Sequence, residues 1–267
     1  MKKIEKVRKR RNRKLRKIIR IISRFFIFFS VIFLIIFSIK HSVLFKIKDI
    51  NVSGINKVKR EEILKKSKLN IGEKYYNISK KNRIKSIKTI AYVKNVKMNF
   101  KLGGTLSIKI EERNPYYQIQ KKEFNLIDEN FRILEKSTSK NSNLIDLYGV
   151  DIENFNVGDY ILQDKDSVDK IELLNKLRDK KFNLEGNIKS IKLLDSVATF
   201  ETVEGIKVEF GSYSNIEYKL NMLKLILQDI KNTGKNVSYI QMEKSENPIV
   251  VETDTKEENI FDKKDSN

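Results

Sequence analysis

Val96-Lys97-Met98-Asn99-Phe100 and Leu106-Ser107-Ile108-Lys109-Ile110 alternate apolar with polar residues on either side of Gly103-Gly104, and Glu111-Glu112-Arg113-Asn114-Pro115 closes the second run. Successive side chains on a strand point to opposite faces, so each run has one dry face and the glycines turn a hairpin. Upstream, Ile47, Ile50 and Val52 stud a short strand that ends at Ser53-Gly54. A helix is expected near 58–67 with Ile63 and Leu64 inward. Gly72 punctuates the chain, and Ser79 is placed to cap a second helix whose face is Ile84, Ile87 and Ile90. The order strand, helix, helix, strand, strand packs most simply as two layers, with helices on one face of a small sheet.

The rest of the chain surrounds this unit with different electrostatics. Its 267 residues hold 55 Lys and Arg against 35 Asp and Glu, a net charge of +20, with one His and no Cys. Without Cys there is no disulfide framework, zinc knuckle or thiol nucleophile, and one His cannot build a multi-His metal site. Residues 1–24 carry 13 basic side chains and one acid, residues 45–113 carry 19 and 6, and residues 114–267 carry 22 and 28. Between the first two blocks, residues 25–39 are uncharged and rich in Phe and Ile. Those fifteen residues are too short to cross a hydrocarbon core, but Ile18–Ile39 would rise about 33 Å and suffice. Arg20 and Arg24 near one end can snorkel to headgroups. A cleaved signal peptide would need a small-residue cleavage site, whereas Ser38-Ile39-Lys40-His41 follows. The reading is therefore a basic cytoplasmic tail, 1–17, then an uncleaved anchor, 18–39. The positive-inside rule places residues 41–267 outside the cytoplasm. That topology removes nucleic acid as a partner for the basic unit at 45–113, and the basic tail lacks aromatic residues for base stacking.

A basic tail, one span and a strand-helix-helix-strand-strand unit resemble the FtsQ/DivIB cell-division proteins with their POTRA domain. The matching residues are Ile50-x-Val52-x-Gly54, Val58, Ile63, Ile71-Gly72, Tyr92-Val93-x-x-Val96, Thr105-Leu106-x-Ile108-x-Ile110 and Glu112-Arg113-x-Pro115. One departure is Phe100-Lys101-Leu102-Gly103, where the family often has an aromatic-Pro pair. The resemblance continues through a second domain, 114–251. Strands are expected at 116–119, 124–127 and 131–134, with Asn130 replacing a turn Gly in left-handed geometry. Residues 136–143 read as loop, and Leu144-Ile145 and Tyr148-Gly149 resemble a family stretch that elsewhere contains Pro. A helix near 167–181 shows Val168, Ile171, Leu174 and Leu177, and strands follow at 188–194, 198–202 and 206–210. The clearest helix carries Ile216, Leu220, Leu223, Leu227 and Ile230, with Leu225 and Ile226 broadening the stripe and Gly234 ending it. Ser238-Tyr239-Ile240-Gln241-Met242 resembles the family's closing strand, with Gln241 and Glu243 replacing its Asp and Arg, and Ile249-Val250-Val251 forms a last strand. The tail, 252–267, is expected to be disordered. The fold class expected is α+β: a single N-terminal transmembrane helix, a POTRA domain at 45–113 and a larger, mainly β domain with helices.

Candidate chemistry is sparse. Ser137-Thr138-Ser139-Lys140 spells the Ser-x-x-Lys acylation motif, but its surroundings are loop-like and no Ser-Asp-Asn or Lys-Thr-Gly accompanies it. Glu111-Glu112 and Asp128-Glu129 are sequence neighbours, unable to flank one bond as glycosidase carboxylates do. No catalytic residue, cofactor site or metal site is assigned. What remains is recognition. A sheet edge offers unpaired backbone groups that a partner strand can satisfy. The resemblance implies divisome partners of the FtsL and FtsB/DivIC type, bound through the last strands. On this chain the platform would be Tyr239, Ile240, Gln241, Met242, Ile249, Val250 and Val251. Closing the core is the competing role, which suits Tyr239 and Ile240 and serves 249–251 equally well.

The expected function is that of a bitopic scaffold at the division septum, helping to control septal peptidoglycan synthesis without catalysing it. Another envelope or sporulation assembly adaptor, or a cell-wall enzyme, would be the alternatives. The basic unit at 45–113 is also expected to be drawn to anionic lipid or wall polymer.

Overall fold

The structure, a computed structural model, describes residues 2–101, 103–242 and 247–252. Of the expected tail only Glu252 is described, and it lies in a strand. The chain divides into two compact units, Met1–Ile87 with Asn95–Glu111, and Lys88–Lys94 with Glu112–Asn267.

Helix α1 runs Lys2–His41, so the basic run and the apolar run are one helix. Ile19–Ser38, 20 residues with mean hydropathy 2.5 and no side chain buried in the protein, is long and apolar enough to cross a membrane. At 1.5 Å per residue it rises about 30 Å, the thickness of a hydrocarbon core.

The remainder of the first unit contains β1 (Asp49–Ser53), α2 (Arg60–Ser67), α3 (Lys80–Ile87), β2 (Val93–Lys101) and β3 (Thr105–Glu112). The sheet order is β1-β3-β2, with β1 parallel to β3. The alternation seen in sequence is the burial pattern observed: Val96, Met98, Leu106, Ile108 and Ile110 are buried, as are Ile63 on α2 and Ile87 on α3. Leu64 and Ile84 are only half-buried. The run of isoleucines at spacing three overstates α3, which ends at Ile87; Ile90 lies beyond it, buried, in the segment Lys88–Lys94 that belongs to the second unit. Gly54 has φ +77°, and a Cβ there would fall 2.1 Å from the Ile110 carbonyl oxygen. Close backbone approach as well as the turn therefore requires glycine at this position.

The second unit is built on a nine-stranded sheet. Its strands are β4 (Pro115–Gln120), β5 (Phe124–Asp128), β6 (Ile133–Ser137), β7 (Ile145–Tyr148), β8 (Ile188–Leu193), β9 (Val197–Thr202), β10 (Lys207–Ser212), β11 (Val237–Gln241) and β12 (Ile249–Glu252). The order is β12-β11-β10-β9-β8-β7-β4-β5-β6. β4–β7, β7–β8 and β10–β11 pair in parallel, and the other pairs are antiparallel. Helices α4 (Val168–Leu177) and α5 (Ile216–Thr233) share one apolar core with the sheet, where Leu173, Leu177, Leu220 and Leu223 meet Ile191, Phe200, Phe210 and Ile240. At Gly149, φ +79°, a Cβ would fall 1.9 Å from the Leu193 carbonyl oxygen, so β7 can leave the sheet only through glycine.

Three local readings are corrected here. Phe131 does not open β6: it has φ +62°, so it occupies the left-handed position expected at Asn130. Asp128 sets that turn, its Oδ1 accepting from the Asn130 N–H at 2.9 Å and the Arg132 N–H at 2.8 Å. The Phe131 ring is buried and stacks on Tyr117, centroids 6.0 Å apart, offsetting the strained backbone. On α4, Val168 is exposed and Leu173 is buried in its place. On α5, Leu225 is exposed because it lies about 200° around the helix from Leu223, although Ile226 does pack on the core.

Candidate partner-binding edge

Strand β11 carries both Val237 and Ile240 into the core although they are three residues apart, because the strand's register shifts between Val237 and Tyr239, and Met242 follows Ile240 inward by period-two alternation. Tyr239 and Gln241 take the opposite face. The Tyr239 hydroxyl donates to Glu209 Oε2 on β10, and the Met242 N–H donates to the Glu209 carbonyl at 2.8 Å. β12 lies antiparallel beside β11 with Gln241 opposite Ile249, Ile240 opposite Val250 and Tyr239 opposite Val251.

Directly opposed residues share a face. The seven residues named from sequence are therefore adjacent but divided. Tyr239, Gln241, Ile249 and Val251 share one face of the sheet, and Ile240 and Val250 share the other. Ile240 and Met242 are buried, so they are core rather than contact surface. Ile249, Val250 and Val251 are 49%, 38% and 44% exposed, which no core-closing strand would show. Tyr239 leaves the core, contrary to the core role that suited it from sequence. Glu243 falls outside the described residues.

The Tyr239 face continues across the sheet. Tyr148, Lys192, Thr199, Lys207, Glu209 and Tyr239 line a shallow hollow of about 350 Å³. Glu201 also borders it, its carboxyl held below the usual range by a 2.7 Å hydrogen bond from Lys189. The hollow gives the edge a polar flank with both signs of charge.

The nucleophile motif is not assembled. Ser137 Oγ donates to the Ser139 carbonyl at 2.8 Å, within its own turn. Lys140 Nζ is 2.6 Å from Asp146 Oδ2, and that hydrogen bond raises the lysine pKa, the opposite of what a general base needs. Among the described residues no group of three or more His, Asp or Glu side chains could hold a metal ion.

Sequence reasoning missed two buried cations. Lys219 on α5 is fully buried, its ammonium donating to the Ser212 carbonyl at 2.7 Å over the Phe210 ring. Arg132 donates to the Gly158 carbonyl at 2.9 Å and the Thr89 carbonyl at 3.2 Å. No local pattern marks either, because their acceptors are backbone carbonyls, and those of Arg132 lie far away in sequence.

The FtsQ-type POTRA domain family matches residues 45–113. Cell division protein DivIB of Clostridium tetani is 28% identical over 212 residues, covering 77% of this chain and 79% of the relative. DivIB of Clostridium acetobutylicum is 28% identical over 207 residues, covering 77% and 82%. The chain is similar to the DivIB cell-division proteins over 77% of its length. DivIB of Clostridium botulinum strain Hall is 27% identical over 215 residues, covering 77% of this chain and 81% of the relative. The major extracytoplasmic domain of the trans isomer of DivIB from Geobacillus stearothermophilus overlaps 46% of this chain and 97% of its own, at 16% identity and a TM-score of 0.30. The sequence relatives support a role in cell division, and the POTRA domain with its N-terminal apolar helix fits a single-pass membrane protein.

Proposed function

We propose that this protein is a membrane-anchored scaffold of the division machinery. Its N-terminus lies in the cytoplasm and both compact units lie outside. It links other membrane proteins of the divisome, of the FtsL and FtsB/DivIC type, at the septum. Through them it helps to control septal peptidoglycan synthesis and does not itself catalyse it. The observation that carries the reading is strand β12: it ends the nine-stranded sheet, all four of its residues are exposed, and three of them are apolar and β-branched. Such an edge suits addition of a partner's strand, with backbone groups giving affinity and alternate side chains giving selectivity. The strong excess of basic residues before the apolar span supports the orientation.

The test is a photo-crosslinking residue at Val250 in full-length protein carrying an N-terminal fluorescent fusion. A fluorescent band at the constriction site, with a crosslink to a small single-pass membrane protein, is the expected result. Even fluorescence around the envelope would remove the division role. A septal band without any crosslink from Val250 would keep the role and move the contact away from β12.

A further inference from the structure

The first unit leaves several large apolar side chains exposed. Val43, Leu44 and Ile71 are 58%, 56% and 70% exposed, and Tyr76 is 40% exposed. They come from two segments far apart in sequence, which the fold fastens together. Lys46 and Lys74 form an isolated antiparallel bridge, the Ile47 N–H donates to the Glu73 carbonyl at 2.9 Å, and the Gly72 N–H donates to the Ile47 carbonyl at 2.7 Å. Phe45 and Tyr76 meet edge to face at 6.4 Å, and Lys74 Nζ lies 5.9 Å from the Tyr76 ring centroid. The result is a patch of aliphatic and aromatic side chains edged by lysines.

The position of the patch along the chain identifies what covers it. Helix α1 ends at His41, and the Ser42 N–H still donates to the Ser38 carbonyl at 2.9 Å. The apolar segment ends at Ser38, so Val43–Phe45 begin within five residues of it. The headgroup layer on each side of a bilayer is about 5–7 Å thick, a few helical residues at 1.5 Å each. If α1 spans the membrane, Val43–Phe45 emerge at headgroup depth and hold Ile71 and Tyr76 beside them. Amphipathic rings and aliphatic side chains with a lysine fringe suit that layer. The basic excess of residues 45–113 adds attraction to anionic lipid.

We propose that the patch around Val43, Leu44, Ile71 and Tyr76 beds into the anionic leaflet from which α1 emerges, so that the POTRA domain lies on the membrane. The proposal rests on the single-span reading above, and its test separates the two. The chain has no Trp, so one introduced Trp is a sole reporter. The full chain is reconstituted in vesicles of phosphatidylglycerol and phosphatidylcholine, with or without bromine on the acyl chains near the headgroups. Phe33→Trp reports the span; Ile71→Trp and Tyr76→Trp report the patch. The expected result is bromine quenching of all three, with the two patch reporters less quenched in pure phosphatidylcholine or at raised salt. Quenching of Phe33→Trp without quenching of either patch reporter would overturn the docking, leaving a wall polymer or a protein to cover the patch. No quenching of Phe33→Trp would overturn the span itself.

Discussion

The two ends of the nine-stranded sheet face the same physical problem and resolve it differently. At one end, a loop covers the start of β6. The Ile133 N–H donates to the Asp159 carbonyl at 2.9 Å, the Gly158 N–H donates to the Ile133 carbonyl at 2.8 Å, and Arg132 bridges to Tyr160. Asp128 holds the turn beneath, its Oδ2 2.5 Å from Arg113 Nη1. Arg113 and Arg132 both approach the Tyr160 ring, at 5.8 and 5.3 Å from its centroid. At the other end, no strand pairs with the outer side of β12 among the described residues, and its side chains are exposed. Proteins ordinarily blunt such edges with charge, proline or a covering loop. β12 has Pro248 before it and Glu252 at its end, but its other three positions are apolar, and the proposed partner contact rests on them.

The contrast can be broken at the covered end first. Asp128 is almost fully buried and answers two backbone N–H groups and one guanidinium. Asp128→Ala should leave Arg113 without its buried counter-charge and cost about 3–5 kcal/mol, read by urea unfolding. Hydrogen exchange should rise at Ile133 and Ile161 before it rises at Ile240. Loss of protection at both ends alike would show that the covered edge is not a separate feature.

At the open end, Val250→Asp should leave unfolding unchanged within about 0.5 kcal/mol, because Val250 is exposed. Capture of a membrane partner should weaken about tenfold or more, equivalent to about 1.4 kcal/mol or more in a binding titration. Full capture by a folded variant would remove β12 as the contact.

Between the two edges, Tyr117 on β4 is fully buried and its hydroxyl has no hydrogen-bond partner among the described residues. Burial also holds this phenol above its usual pKa range. Tyr117→Phe deletes an unsatisfied polar atom and keeps the stacking on Phe131. It should stabilise the second unit by about 1 kcal/mol without changing partner capture. A loss of stability would mean that the hydroxyl is hydrogen-bonded in solution.

The smallest effect concerns acid. Glu129, next to Asp128, has its carboxyl held below the ordinary range by a hydrogen bond from Lys94, with Arg178 also close. Its contribution is therefore complete above the ordinary glutamate pKa and is lost as pH falls through the lowered folded value. The side chain is 38% exposed, so screening keeps the loss to about 0.5 kcal/mol or less. Glu129→Gln should flatten the acid limb of stability by that small amount, read by urea unfolding at successive pH values. An unchanged acid limb would assign the loosening to other carboxylates.

Much of the architecture was legible in the residues because it repeats with a fixed period. The alternation at 96–100 and 106–110, the apolar run after the basic tail and the stripe from Ile216 to Ile230 each report a face buried along one element. Glycines at 54 and 149 were visible as punctuation. Their steric cause, a carbonyl from another strand at about 2 Å from any Cβ, was not.

Side-chain pattern along a strand or helix is local, and burial of one face follows from it directly. The sequence alone therefore determined the single apolar span, the strand-helix-helix-strand-strand unit and a later, larger β domain. Which residues meet across the sheet depends on strand order and register, which contacts distant in sequence select. Only the tertiary structure decided that Ile240 turns inward while Tyr239 turns outward, and that Phe131 takes the strained turn position above Tyr117. It also decided that the start of β6 is covered while, among the described residues, no strand pairs with the outer side of β12, because an edge is defined by the neighbour a strand lacks and not by its own residues.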